Sequence, residues 1–154
     1  MIQPAVGYCL PSFTRRTSFE NWNRFAAVND EFIPIHMDDE AGRRAGNPGG
    51  AFGMGNLRLS YLMNMLRGWC DGAGEVRVIE VRYRELNQKD DVLTAVGFVT
   101  AVEALDEEIR IELDVDVVNQ KGSSTAPGRA TVRRAGCRAR APGHSRLRGS
   151  THRA

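Results

Sequence analysis

The chain has 154 residues, 21 of them Lys or Arg and 19 Asp or Glu, for a formal net charge of +2. That length suits a single domain able to bury about 68–70% of its unfolded surface, and 42% apolar with 26% charged residues excludes a fibrous or wholly unstructured chain. The net charge hides a division, because seven arginines and no acid fall between Arg133 and Ala154, leaving 14 basic against 19 acidic residues and a net of −5 for positions 1–132.

Cys9, Cys70 and Cys137 form no CxxC pair or Cys/His cluster, which speaks against a zinc or disulfide framework and for a reducing cytoplasm. No apolar run approaches the ~20 residues of a membrane span. The N-terminal segment lacks the pattern of a secretory signal.

Residues 1–16 are broken by Pro4 and Pro11. Thr17-Ser18-Phe19-Glu20 has capping-box form, and Phe19, Trp22, Phe25 and Ala26 recur at helical spacing, predicting a helix over about 18–28. Pro34 ends that pattern. Asp38–Ala45 has the composition of two helical turns closed by Gly46. The run GNPGGAFGMG at 46–55 then leads into Leu57, Tyr61, Leu62, Met65, Leu66 and Trp69, a broad apolar stripe over about four turns. The helix stops near Cys70-Asp71-Gly72.

Everything beyond reads as strand. Glu75–Leu86 alternates with a phase slip that predicts a bulge near 78–79. Val92–Val102 is apolar on both faces, the mark of a central strand. Ile109, Ile111, Leu113, Val115 and Val117 alternate with charged residues, and Gly128–Val132 makes a last short strand. Helices followed by three or four antiparallel strands give an α+β domain over 1–132. So few strands leave open edges, for which dimerisation is the remedy. The segment 133–154, mostly Arg, Ala, Gly and Pro, is expected to be a disordered tail. Its arginines lack interleaved aromatics and point to no specific nucleic-acid partner.

Within 1–132 there is one histidine, His36, with Asp30 and Glu31 upstream. A loop of that length can return a carboxylate to an imidazole, a pair suited to general acid–base chemistry; a surface or satisfied structural histidine is the plainer alternative. Gly53, Met54 and Gly55 enter the long helix, where open N–H groups and the helix dipole favour developing negative charge; a tight loop needing glycine is the plainer alternative there. The spacing matches neither GxGxxG nor the P-loop, and no metal-ligand cluster or nucleophile context is present.

Several stretches together carry a resemblance: Arg24-Phe25-Ala26, the run from Asp30 to Asp38 ending P-I-H-M-D, Gly53-Met54, Val81–Arg84, Val118–Gly122 and Gly128–Val132. In these the chain resembles the MaoC-like hydratase/dehydratase family, over about residues 6–132. The resemblance implies a hotdog fold, a curved antiparallel sheet wrapped around one long helix, usually dimeric. It implies a cofactor-free hydro-lyase that hydrates a 2-enoyl thioester of coenzyme A or acyl-carrier protein, or runs the reverse dehydration. Its catalytic pair would be His36 with Glu31, Asp30 being the rival, and its oxyanion donor Gly53 or a neighbour. The family's usual acid is Asp where Glu31 stands, its usual Asn is Ile33 here, and a common His is Phe52. Two other roles compatible with the resemblance are a non-catalytic or acyl-binding subunit of a heteromeric hotdog dehydratase and an acyl-CoA thioesterase.

Overall fold

The computed structural model describes residues 5–135. The element order is β1 (Phe13–Arg16), α1 (Phe19–Asn29), a 3₁₀ turn (Pro34–His36), α2 (Asp39–Arg44), α3 (Gly55–Cys70), β2 (Gly74–Val81), β3 (Val92–Ala104), β4 (Glu108–Val118) and β5 (Gly128–Ala135). The five strands form one antiparallel sheet in the order β1-β3-β4-β5-β2. Helix α3 packs against β1, β2, β3 and β4, so the sheet curls over it. This is the expected α+β arrangement.

The core follows from the two periodicities. Leu57, Tyr61, Leu62, Met65, Leu66 and Cys70 of α3 are buried. They meet Leu93, Ala95 and Val99 of β3 and Ile111, Leu113, Val115 and Val117 of β4. Asp71 takes a left-handed conformation and closes α3, where the sequence placed its end. No described helix is long and apolar enough to cross a membrane.

The differences from the sequence reading have physical causes. A fifth strand, β1, arises from the segment read as irregular. Phe13–Arg16 has no alternation of its own and is held by pairing with Val92–Ala95. The N-cap of α1 is Ser18, whose N–H donates to the Asn21 side chain at 3.1 Å. Thr17 is drawn inward instead and accepts from Trp22 Nε1 at 2.6 Å. The predicted strand to Leu86 ends at Val81; its bulge lies between Val76 and Val78. Strand β3 is interior, but β4 holds the centre. Because α3 covers one face only, Phe98 on the other, opposite Asp114, remains 46% exposed. Strand β5 continues through Arg133 to Ala135, with Arg133 reaching Glu108 at 3.3 Å and Arg134 lying over the Trp69 ring. Three residues assigned to the tail thus belong to the sheet. The rest of that segment lies outside the described residues.

Helix α2 presses on the glycine-rich run. A Cβ on Gly42 would run into the Gly50 carbonyl. Gly42→Ala should therefore destabilise the domain by about 1–3 kcal/mol, the usual cost of overpacking, measured by thermal or urea unfolding. A stability equal to that of the parent would show that α2 stands off from this loop.

Candidate active site

His36 ends the 3₁₀ turn that begins at Pro34. Proline is at home at the first position of such a turn, where no N–H is required. The turn is closed by Met37 N–H to the Pro34 carbonyl at 3.0 Å. The ring is 7% exposed, and its Nδ1 lies 2.7 Å from the Phe52 carbonyl oxygen. A carbonyl can only accept, so Nδ1 carries the proton. In the neutral ring, Nε2 is then the nitrogen with a free lone pair. The Phe52 ring stands edge-on to the imidazole, 5.3 Å between centroids at 89°, and Phe52 N–H returns to the Ile35 carbonyl at 3.3 Å. The 33–36 and 51–53 segments are thus joined by two bonds around one histidine.

The candidate acids are placed differently. Asp30 is exposed and ends α1 in a left-handed conformation at φ 53°. Glu31 is half-buried, its N–H bonded to the Ala26 carbonyl at 3.1 Å. Among the described residues neither carboxylate hydrogen-bonds His36. Glu31 lies instead within electrostatic reach of Tyr83. Burial pushes the Tyr83 phenol up, the Arg58 charge pulls it down, and the Glu31 charge raises it further.

Tyr83 stands at the helix start. Its ring would meet a Cβ on Gly55 at 2.8 Å, its hydroxyl donates to Asn56 Oδ1 at 3.1 Å, and Arg58 lies over its face at 4.8 Å. Arg58 is 3% exposed and donates to the Glu85 and Thr125 carbonyls at 2.6 and 2.8 Å. Among the described residues no carboxylate forms a salt bridge with it, and burial holds its ionisation below the ordinary arginine range.

Gly53 does not offer a free donor. Its N–H is bonded to the Asn87 carbonyl at 2.8 Å, and its bare Cα fits against the Asn87 and Trp22 side chains, each 2.7 Å from where a Cβ would stand. The open N–H groups belong to the first positions of α3, as helix geometry requires. Those of Met54 and Gly55 have no partner among the described residues. Of the three expected donors, Gly53 is thus committed to Asn87, while Met54 and Gly55 keep open amides.

The sequence reading missed the supports of this loop. Asn87, Gln88 and Lys89 read as a polar turn, yet Asn87 and Gln88 reach the glycine-rich run and Lys89 reaches Asp39 of α2 beside it. Gln88 exchanges two amide bonds with Asn47, at 3.0 and 3.1 Å. Lys89 Nζ bonds both Asp39 carboxylate oxygens at 2.7 and 2.8 Å. Those bonds and the Ala51 N–H hold the Asp39 carboxyl below the usual carboxylate range. Nothing in local spacing signals these partners, which lie 41 and 50 residues apart.

Scanned against family models and against curated protein sequences, the chain matches none. Solved structures do match. An (R)-hydratase from A. caviae involved in PHA biosynthesis superposes with a TM-score of 0.75 at 21% identity, over 83% of this chain and 95% of that one. The ChsH1–ChsH2 complex from Mycobacterium tuberculosis gives 0.76 at 18%, over 86% and 99%. A MaoC-like dehydratase from Rhodospirillum rubrum gives 0.72 at 21%, over 85% and 92%. The chain has the hotdog fold. In this hotdog chain, α3 is the enclosed helix, and His36, Phe52 and the Met54–Gly55 amides gather at its N-terminus. Two surface grooves, one lined by Phe13, Phe25 and Tyr61 and the other by Ile79, Phe98 and Pro127, lie away from His36.

Proposed function

We propose that this protein is a hydro-lyase of the MaoC-like type, adding water across the double bond of a 2-enoyl thioester or running the reverse dehydration. One observation carries the reading: the Nδ1 proton of His36 is committed to the Phe52 carbonyl, which leaves Nε2 as the base, on a ring tied to the residue that leads into the open amides of α3. In hydration a water oxygen bonds to C3 and a proton is added to C2. His36 and Glu31 together position the water; one takes its proton while the other supplies the proton to C2. Negative charge builds on the thioester oxygen in between and is met by the Met54 and Gly55 N–H groups and the helix dipole. Coenzyme A or acyl-carrier protein would carry the acyl group. The A. caviae and R. rubrum proteins, hydratase and dehydratase by their names, support the reaction class.

The test is the loss of enone absorbance when the purified protein meets 2-enoyl-CoA substrates of several chain lengths. Turnover is expected, with Glu31→Gln slower by about 10²-fold, the usual scale for a misplaced catalytic group. No turnover at any length would overturn the assignment. Release of free thiol instead would point to thioester hydrolysis.

A second reading rests on the absence of a Glu31–His36 bond and on the likeness to the two-component ChsH1–ChsH2 complex. On that reading the chain is the acyl-binding partner in a hetero-oligomer of hotdog chains rather than a homodimer. Inactivity alone and activity on mixing with a copurifying hotdog chain would establish it.

A further inference from the structure

We propose that Asp39 and Lys89, neither of which touches the imidazole, are positioning residues that set the ring plane and tautomer of His36 through the Ala51–Phe52–Gly53 backbone. The proposal rests on the reading of His36 as the base.

The strip from Gly50 to Gly53 is held at every residue. The Gly50 carbonyl accepts from Asn47 Nδ2 at 2.6 Å. Ala51 N–H donates to Asp39 Oδ1 at 3.0 Å. Phe52 is tied to Ile35 through its N–H and to His36 through its carbonyl, and Gly53 N–H is tied to Asn87. The peptide group joining Phe52 to Gly53 is thus bonded at both ends, to Asn87 on one side and to the imidazole on the other. Bonds in such a chain polarise and strengthen one another.

Asp39 can approach Ala51 because Gly50 has no side chain: at φ +91°, a Cβ there would fall on the Asp39 carboxylate. Lys89 then fixes that carboxylate with a two-oxygen contact and lies 4.9 Å from the centroid of the Phe19 ring. The side chains of Lys89 and Asp39 are 29% and 39% exposed, which shields the pair from solvent better than a surface ion pair.

The consequence for His36 is chemical. A neutral imidazole left to itself favours the proton on Nε2. Only a well-placed acceptor at Nδ1 reverses that choice, and the Phe52 carbonyl is that acceptor. If Ala51 loses its anchor, the strip keeps only its bonds to Asn47, Ile35 and Asn87; the Phe52 carbonyl gains freedom, the Nδ1 bond loosens, and the Nε2-protonated tautomer regains population. Asp39 and Lys89 therefore act on proton transfer without meeting the substrate.

The test is ¹⁵N NMR of the full chain, the His36 signals being those missing in His36→Ala. In the parent, neutral His36 is expected to show a protonated Nδ1 with slow proton exchange and an unprotonated Nε2. Lys89→Met and Asp39→Asn should mix the tautomers and speed Nδ1–H exchange. Both should lower kcat by about 10- to 10²-fold with KM little changed. Lys89→Arg should restore the parent signature. If Lys89→Met does not fold, Lys89→Gln, which keeps a donor on a shorter stem, carries the same reading. A parent proton on Nε2, or variants that lose thermal stability while His36 keeps its parent signature, would overturn the proposal. Mixed tautomers in the variants of a parent that hydrates nothing would uphold the positioning role and remove the hydratase reading.

Discussion

His36→Ala is expected to lower the kcat/KM for hydration of a 2-enoyl-CoA by about 10²- to 10⁴-fold, the range spanned by loss of a general acid–base group. The fold should survive. His36 closes a short turn whose geometry is set by Pro34, and among the described residues its side chain makes one hydrogen bond, to the Phe52 carbonyl. Removing the donor leaves that carbonyl short of a partner, worth about 1–3 kcal/mol. His36→Asn separates the two effects. Its amide can still donate toward Phe52 but offers no base of useful strength, so stability should recover further than turnover. Initial rates at subsaturating substrate, set beside melting curves of both variants, make the comparison. Parent-like activity in His36→Ala would remove the histidine from the mechanism.

Trp22→Ala should cost about 3–5 kcal/mol of folding stability, as expected for emptying a large aromatic site. That is much of the 5–15 kcal/mol that holds an ordinary domain together. Trp22 is 0% exposed; its Nε1 is bonded to the buried Thr17, and its ring stacks edge-on with Phe19 at 5.3 Å. It also backs Gly53, so the cavity would open directly behind the peptide that holds His36. The loss should appear as a fall in Tm of roughly 10–20 °C, with a fall in kcat at temperatures where the variant is still folded. Trp22→Phe, which keeps most of the volume and loses the indole donor, should lie between. A variant as stable as the parent would mean that α1 contributes little to the core.

The charge division that leaves positions 1–132 at −5 also changes meaning in the structure. Arg133 and Arg134 are counted with the basic segment, yet they pair in β5 with Arg110 and Ile109 of β4 and with Glu75 and Gly74 of β2. A strand that alternates only weakly is extended by its neighbours' hydrogen bonds, and composition does not record them.

The local patterns were decided within the sequence. The stripe of α3, its stop at Asp71, the alternation of β4 and the slip in β2 follow from periods of 3.6 and 2 acting on nearby residues. His36 became the candidate base in the same way, because one histidine after a proline turn stands alone among positions 1–132. Tertiary structure decided what depends on distant partners. It made a strand of Phe13–Arg16 by laying it on β3, gave the Gly53 N–H to Asn87 and so left only Met54 and Gly55 of the three expected amides open, and brought Lys89 to Asp39 across 50 residues. The physical reason is that a hydrogen bond's geometry depends on where two backbones meet. Sequence periodicity says which face of an element is buried, but only the packed chain says which carbonyl stands opposite Nδ1 of His36.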